Sequence, residues 1–256
     1  MKSFLSFFKK ELLENKRSGK LVVMAILFVI FGIMNPLIAK LTPWILELLS
    51  DSMNDTGIII GNIEVNAITS WVQFFKNIPI ALIVFVIMYS SIYTVEYENN
   101  TLILLLSKGL KRSKVLLAKF LNLFLVWTVG YFICFVITYL YNAYYWDNSI
   151  AVGLISAIMM WYLFGVFIIG LMVLFSTISN KNTGVLLGVS TVTFMFYLVG
   201  LIPSISKFIP TTLMDVNKLL VGEISFNKFL PTLIITLILV IGSLAASIKV
   251  FNKKQL

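Results

Sequence analysis

Six apolar stretches divide the chain, over residues 21–39, 78–94, 121–140, 151–176, 183–202 and 230–248, and none of them contains Asp, Glu, Lys or Arg. Each approaches or exceeds the ~17–25 residues that a helix needs to cross a bilayer. The apolar positions run on continuously. A barrel strand would alternate over ~10 residues, so the crossings are helices. The pattern predicts an all-α membrane protein, a single transmembrane domain over 1–256 with six transmembrane helices.

The intervening pieces are patterned too. Wound at ~100° per residue, Met1, Phe4, Leu5, Phe8 and Leu12 share one face of the first twenty residues. Lys2, Ser6, Lys9, Lys10 and Arg17 lie mostly opposite, and Phe7 and Leu13 interrupt the stripe. This predicts an interfacial helix over 1–20 with Phe4, Leu5, Phe8 and Leu12 toward lipid. Pro36 is expected to kink or end the first crossing. Residues 40–76 read as a polar loop with a short surface helix after Pro43 and with Trp44 and Trp71 at the membrane borders. Tyr139, Tyr141, Tyr144, Tyr145 and Trp146 form an aromatic belt after the third crossing. Gly184 and Gly188 would let the fifth crossing approach a neighbour. Short apolar pieces between Pro203, Pro210 and Pro231 predict a re-entrant outer loop between the fifth and sixth crossings, because such backbone is tolerated at membrane depth only when packed on protein.

Charge orients this plan. Fifteen of the twenty Lys and Arg fall on one side, at both termini, at Lys181 and in the segment 95–120, which makes that side cytoplasmic, with both termini inside. The net charge of +9 thus reads as a topology signal and not a nucleic-acid site. With 59% hydrophobic and only 12% charged residues, the composition agrees with a membrane protein. One cysteine, Cys134, allows no disulfide within the chain. No histidine is present, which removes the commonest metal ligand and general base. No metal site or catalytic residue is predicted, and no Walker-type phosphate loop occurs. Crossings without ionisable groups argue against a proton- or ion-driven transporter and against an intramembrane metalloprotease. Ser90, Ser91 and Thr94 lack a base and are expected to bond helix to helix.

What remains is the segment 95–120, VEYENNTLILLLSKGLKRSKVLLAKF. It is acidic at its start (Glu96, Glu98), basic at its end (Lys111, Arg112, Lys114, Lys119), and has an apolar centre over 102–106 too short to cross. Asn100 or Thr101 would cap a short helix on that centre, and 111–119 would restart a helix into the third crossing. The result is a docking element or a plain helical hairpin with solvated charges.

Here the chain resembles the permease subunits of ABC transporters of the type-2 exporter class. The matching residues are Glu96, Glu98, Thr101, Leu102 and the rest of 102–106, Arg112 and Lys119. Asn100, Gly109 and Lys111 depart from the family's usual Gly, Pro and Ser. The opening FKKELLENKRSGK and VQFFKN at 72–77 are also similar. The resemblance implies that Glu96, Glu98, Asn100, Thr101, Leu102, Leu104, Leu105, Leu106 and Arg112 couple the chain to a cytoplasmic ATPase present in two copies. It implies a second permease, identical or homologous, with the first, second and fifth crossings near their interface. ATP and Mg would sit on the ATPase, with no cofactor in this chain. The cargo implied is an amphipathic or hydrophobic peptide, lipid or drug, exported from a bacterial cell across its plasma membrane. The alternative from another class is a membrane-bound immunity or sensor protein that binds a peptide and transports nothing.

Overall fold

The computed structural model describes residues 2–53, 65–98, 101–102, 107 and 111–254, the side chains of 2–3, 49–53 and Glu98 excepted. Seven helices dominate: α1 (Lys2–Arg17), α2 (Lys20–Met53), α3 (Ala67–Tyr89), α4 (Arg112–Tyr145), α5 (Leu154–Ile178), α6 (Asn182–Gly200) and α7 (Leu230–Lys253). Among the described residues six helices, α2 to α7, are long and apolar enough to cross a membrane, and no strand occurs. A short helix, Thr94–Glu98, follows α3 after one turn.

The helices overrun their apolar runs, because backbone hydrogen bonding does not stop where lipid does. α2 continues through Pro36 and Pro43 to Met53, so neither proline ends it, and the stretch after Pro43 is a continuation of α2. α3 starts eleven residues before its apolar run. Asn66 fixes that start through a capping box with Thr69, so Lys76 lies within the helix. At the other boundary, Gly19 ends α1 with φ of 74°, a conformation that costs glycine nothing and sends the chain directly into α2.

Two trios pack side by side. α2 pairs closely with both α3 and α4, and α5 pairs closely with α7 and less with α6. α4 and α5 join the trios, and Gly165 makes the join possible. A Cβ there would stand 2.2 Å from the Trp127 ring, which is fully buried between Phe28 and Phe85. Trp71 is also fully buried. Its indole N–H donates to Asn148 Oδ1 at 3.0 Å, so it is a core residue and not a border anchor, whereas Trp44 is exposed. Gly188 faces the Phe175 ring of α5, which places the small residues of α6 against its own neighbour. Between α6 and α7 the chain makes four single helical turns, Pro203–Ser206, Pro210–Met214, Asn217–Leu220 and Phe226–Phe229. Their Leu213, Leu219 and Leu220 are buried, and α5 is one of the helices they pack on.

Candidate functional site: a buried lysine between two carboxylates

Where α1 crosses the first turns of α4, Lys119 is 2% exposed. An ammonium at that depth must be paired. Its Nζ donates to Glu11 Oε2 of α1 at 2.9 Å and to the Ile92 carbonyl oxygen at 3.0 Å, and it lies 3.2 Å from Glu96 Oε1 of the short helix. The rings of Tyr93 and Phe7 close over it. Tyr93, fully buried, donates from its hydroxyl to the Leu116 carbonyl oxygen at 2.9 Å, tying the turn after α3 to α4.

The second carboxylate needs a second cation. Lys10 supplies it from the rim, half exposed, at 3.2 Å from Glu11, 3.5 Å from Glu96 and 2.9 Å from Glu14. Burial would lower the Lys10 ammonium, but the Glu14 hydrogen bond and the neighbouring Glu11 and Glu96 charges outweigh it and hold the group above its ordinary value. Partial burial would raise Glu14, but the Lys10 hydrogen bond holds it below the usual carboxylate range. The cluster sets two lysines among three carboxylates and joins three pieces of chain, at 10–14, 92–96 and 119.

The α1 sequence explains its own place. Phe7, Glu11 and Asn15 recur every four residues and form the buried face, with Phe4 and Phe8 packed partly beside them. Leu5 is 59% exposed, on the flank away from the protein, and Leu12 is half-buried. So the residue that interrupts the apolar stripe, Phe7, is the helix's deepest apolar contact, and two of the residues predicted to face lipid, Phe4 and Phe8, partly face protein.

Of the predicted coupling residues, the structure brings Glu96, Leu102 and Arg112 onto this chain's own body. Leu102 is 3% exposed within the core cluster, while Thr101 is exposed. Arg112 reaches the far end of the chain: its Nη1 donates to the carbonyl oxygens of Phe251 at 2.7 Å and Lys254 at 2.6 Å. Asn100, Leu104, Leu105, Leu106 and the Glu98 side chain lie outside the described residues. Ser90 and Thr94, expected to bond between helices, instead donate to carbonyls three residues back, and Ser91 accepts from Lys20.

Sequence reading missed Glu11 and Lys10 as partners of the charged segment. The available signal was a glutamate one turn beyond Phe7, on the face that the stripe excluded. It also missed the neutral counterpart deeper in the bundle. There Asn77 Nδ2 donates to Asn35 Oδ1 at 2.7 Å, Asn35 Nδ2 donates to Thr138 Oγ1 at 3.1 Å, and Thr138 donates to the Gly32 carbonyl oxygen at 3.0 Å. This seam joins α2, α3 and α4 without a charge. A lateral groove of about 730 Å³ opens between α3 and α6 over α5, lined by apolar side chains such as Leu82, Val86, Phe164 and Phe194 with Ser190 and Thr193 among them. Among the described residues no group of three or more His, Cys, Asp or Glu is placed to hold a metal ion.

A model of the family described as ABC-2 family transporter protein matches residues 5–256, nearly the whole chain. No curated protein sequence matches it.

Proposed function

Since the chain belongs to the ABC-2 transporter family, and so is a multi-pass membrane permease subunit whose ATP hydrolysis falls to a partner ATPase, we propose that it is the permease of an exporter driven through the segment 95–120. The carrying observation is the Glu11–Lys119–Glu96 cluster. It fastens the first residues of that segment to α1 and α4 at buried, charge-assisted distances, so a displacement there cannot be absorbed locally.

In this reading Lys and Arg place both termini and the segment 95–120 in the cytoplasm of a bacterial plasma membrane. The four turns over 203–229 form a re-entrant element on the outer side. Two ATPases, carrying ATP and Mg, grip the segment at Glu98, Asn100, Thr101 and Leu104 to Leu106. Leu102 is spent on the permease's own core. The groove beside α3 and α6 suits contact with a second permease copy or homologue and with an amphipathic or hydrophobic cargo, a peptide, lipid or drug, because its wall is apolar with a few hydroxyls.

The test is reconstitution in lipid with its partner ATPase. Wild type should co-purify with the ATPase and raise its ATP turnover. Changing Leu104, Leu105 and Leu106 together to Ser should abolish co-purification. Retention of both properties by that variant overturns the docking assignment. Protection of cells against a peptide that persists after ATPase coupling is lost would favour the immunity or sensor reading.

A further inference from the structure

The charged segment has two feet, Tyr97 and Arg112, and both rest on one short strip, residues 251–254 at the end of α7. From the returning foot, Arg112 forks onto the strip: Nη1 donates to the carbonyl oxygens of Phe251 and Lys254, with Asn252 O at 3.4 Å, and the guanidinium lies over the Phe251 ring. A helix end leaves its last carbonyls without partners, and one guanidinium here supplies several of them. At the departing foot, the Tyr97 ring meets Phe251 edge to face at 6.4 Å, and Lys254 Nζ lies 4.1 Å from the Tyr97 ring centre. Lys254 then donates to the Thr177 carbonyl oxygen near the end of α5 at 2.9 Å. Phe251 is 1% exposed and anchors the strip in the body of the protein, while Asn252 and Lys253 are exposed. Burial holds the Lys254 ammonium below its ordinary value.

This arrangement complements the lysine cluster. Glu11, Glu96 and Lys119 connect the segment to α1 and α4 through their ion pairs and hydrogen bonds. Among the described residues α5 and α7 make the most extensive helix pair. The strip is where the segment reaches them.

We propose that residues 251–254, held by Arg112 and Lys254, form a clamp that closes the feet of the charged segment and passes its displacement to α5 and α7. Arg112 and Lys254 are positioning residues for transport; they touch neither ATP nor cargo. This rests on the proposed function, since it assigns the path by which an ATPase stroke reaches the second trio of helices.

Two measurements test it. The first needs no ATPase: hydrogen–deuterium exchange on the purified permease. Arg112→Ala should raise exchange in the last turn of α7 and leave the α2–α3–α4 seam unchanged; unchanged exchange at α7 overturns the clamp. The second measures cargo moved per ATP hydrolysed in the reconstituted complex. Arg112→Ala and Lys254→Met should still assemble with the ATPase but lose about tenfold in transport per ATP, within the range of measured site-to-site couplings. Arg112→Lys, which has no planar guanidinium to lie over Phe251, should regain only part. A short bismaleimide joining Tyr97→Cys to Phe251→Cys in the Arg112→Ala background should restore coupling. Wild-type transport per ATP in Arg112→Ala, or loss of ATPase assembly with no rescue by the linker, overturns the proposal; the latter makes Arg112 a docking residue. A wild-type chain that binds no ATPase sinks the functional reading instead, and the exchange result then stands on its own.

Discussion

The two polar seams of this protein solve the same problem with different chemistry. Deep in the bundle, Asn35, Asn77 and Thr138 hold three crossings together with neutral hydrogen bonds. Where α1 meets the start of α4, Lys119, Glu11 and Glu96 hold a crossing to two pieces that do not cross. An amide pair is tolerated far from water because its desolvation cost is modest and its bonds are met internally. An ion triad is costly to bury and stays only where each charge meets one of opposite sign. The neutral seam fixes a scaffold. The ionic seam joins parts of different kind, and it stands at the head of the segment to which the function is assigned.

The largest expected effect breaks the ionic seam. Lys119→Met leaves two buried carboxylates facing each other with only the rim Lys10 nearby, and should cost about 3–5 kcal/mol, as loss of one partner of a buried pair does. The measurement is thermal unfolding followed by labelling of Cys134, the one cysteine and a buried one. Glu11→Gln with Lys119→Met should recover part of the loss, because one unmatched charge is removed. Next comes the neutral seam: Asn77→Ala leaves the Asn35 carbonyl oxygen without its donor and should cost about 1–3 kcal/mol, while ATPase stimulation per folded molecule stays at the wild-type level. If Asn77→Ala lowered ATPase stimulation per folded molecule, the contrast between scaffold and joint would fail. A smaller effect is expected from Trp71→Phe, about 1 kcal/mol, the net worth of the bond to Asn148.

The smallest belongs to Lys10 with Glu14 at the rim. Lys10→Met should cost at most about 1 kcal/mol, the range of exposed pairs, and less at high salt. Glu14 is depressed, so its share is complete above the ordinary carboxylate pKa and vanishes as pH falls through the depressed value. Lys10 is raised, so its share is complete below the ordinary ammonium pKa and vanishes as pH rises through the raised value. The difference in unfolding temperature between Lys10→Met and wild type should therefore be flat between about pH 5 and 9.

The six crossings were legible because long uncharged runs have a single physical use. Helix ends were less so: nothing in the hydropathy of Lys40 or Lys76 says that the helix includes them, since capping by Asn66 and continuation past Pro43 are local backbone matters. Trp44 and Trp71 look alike in sequence and end up exposed and buried, because the acceptor of the buried Trp71 indole, Asn148 Oδ1, lies 77 residues away. The charged segment was visible as a unit, and Lys119 belonged to the resemblance. Its partner Glu11 lies 108 residues earlier, and only the packed structure brings the two together. A stripe of apolar residues on α1 pointed to lipid, and the polar residue set into the neighbouring stripe, which pointed to protein, was outvoted.

The order of synthesis gives the Lys119 cluster one more consequence. A ribosome makes Glu11 and Glu96 before their shared lysine, so a nascent chain shorter than 119 residues carries two acids that have nowhere dry to go. α1 cannot seat itself until the third crossing begins to emerge. Chains stalled before that point should keep the first helix loose and open to proteases.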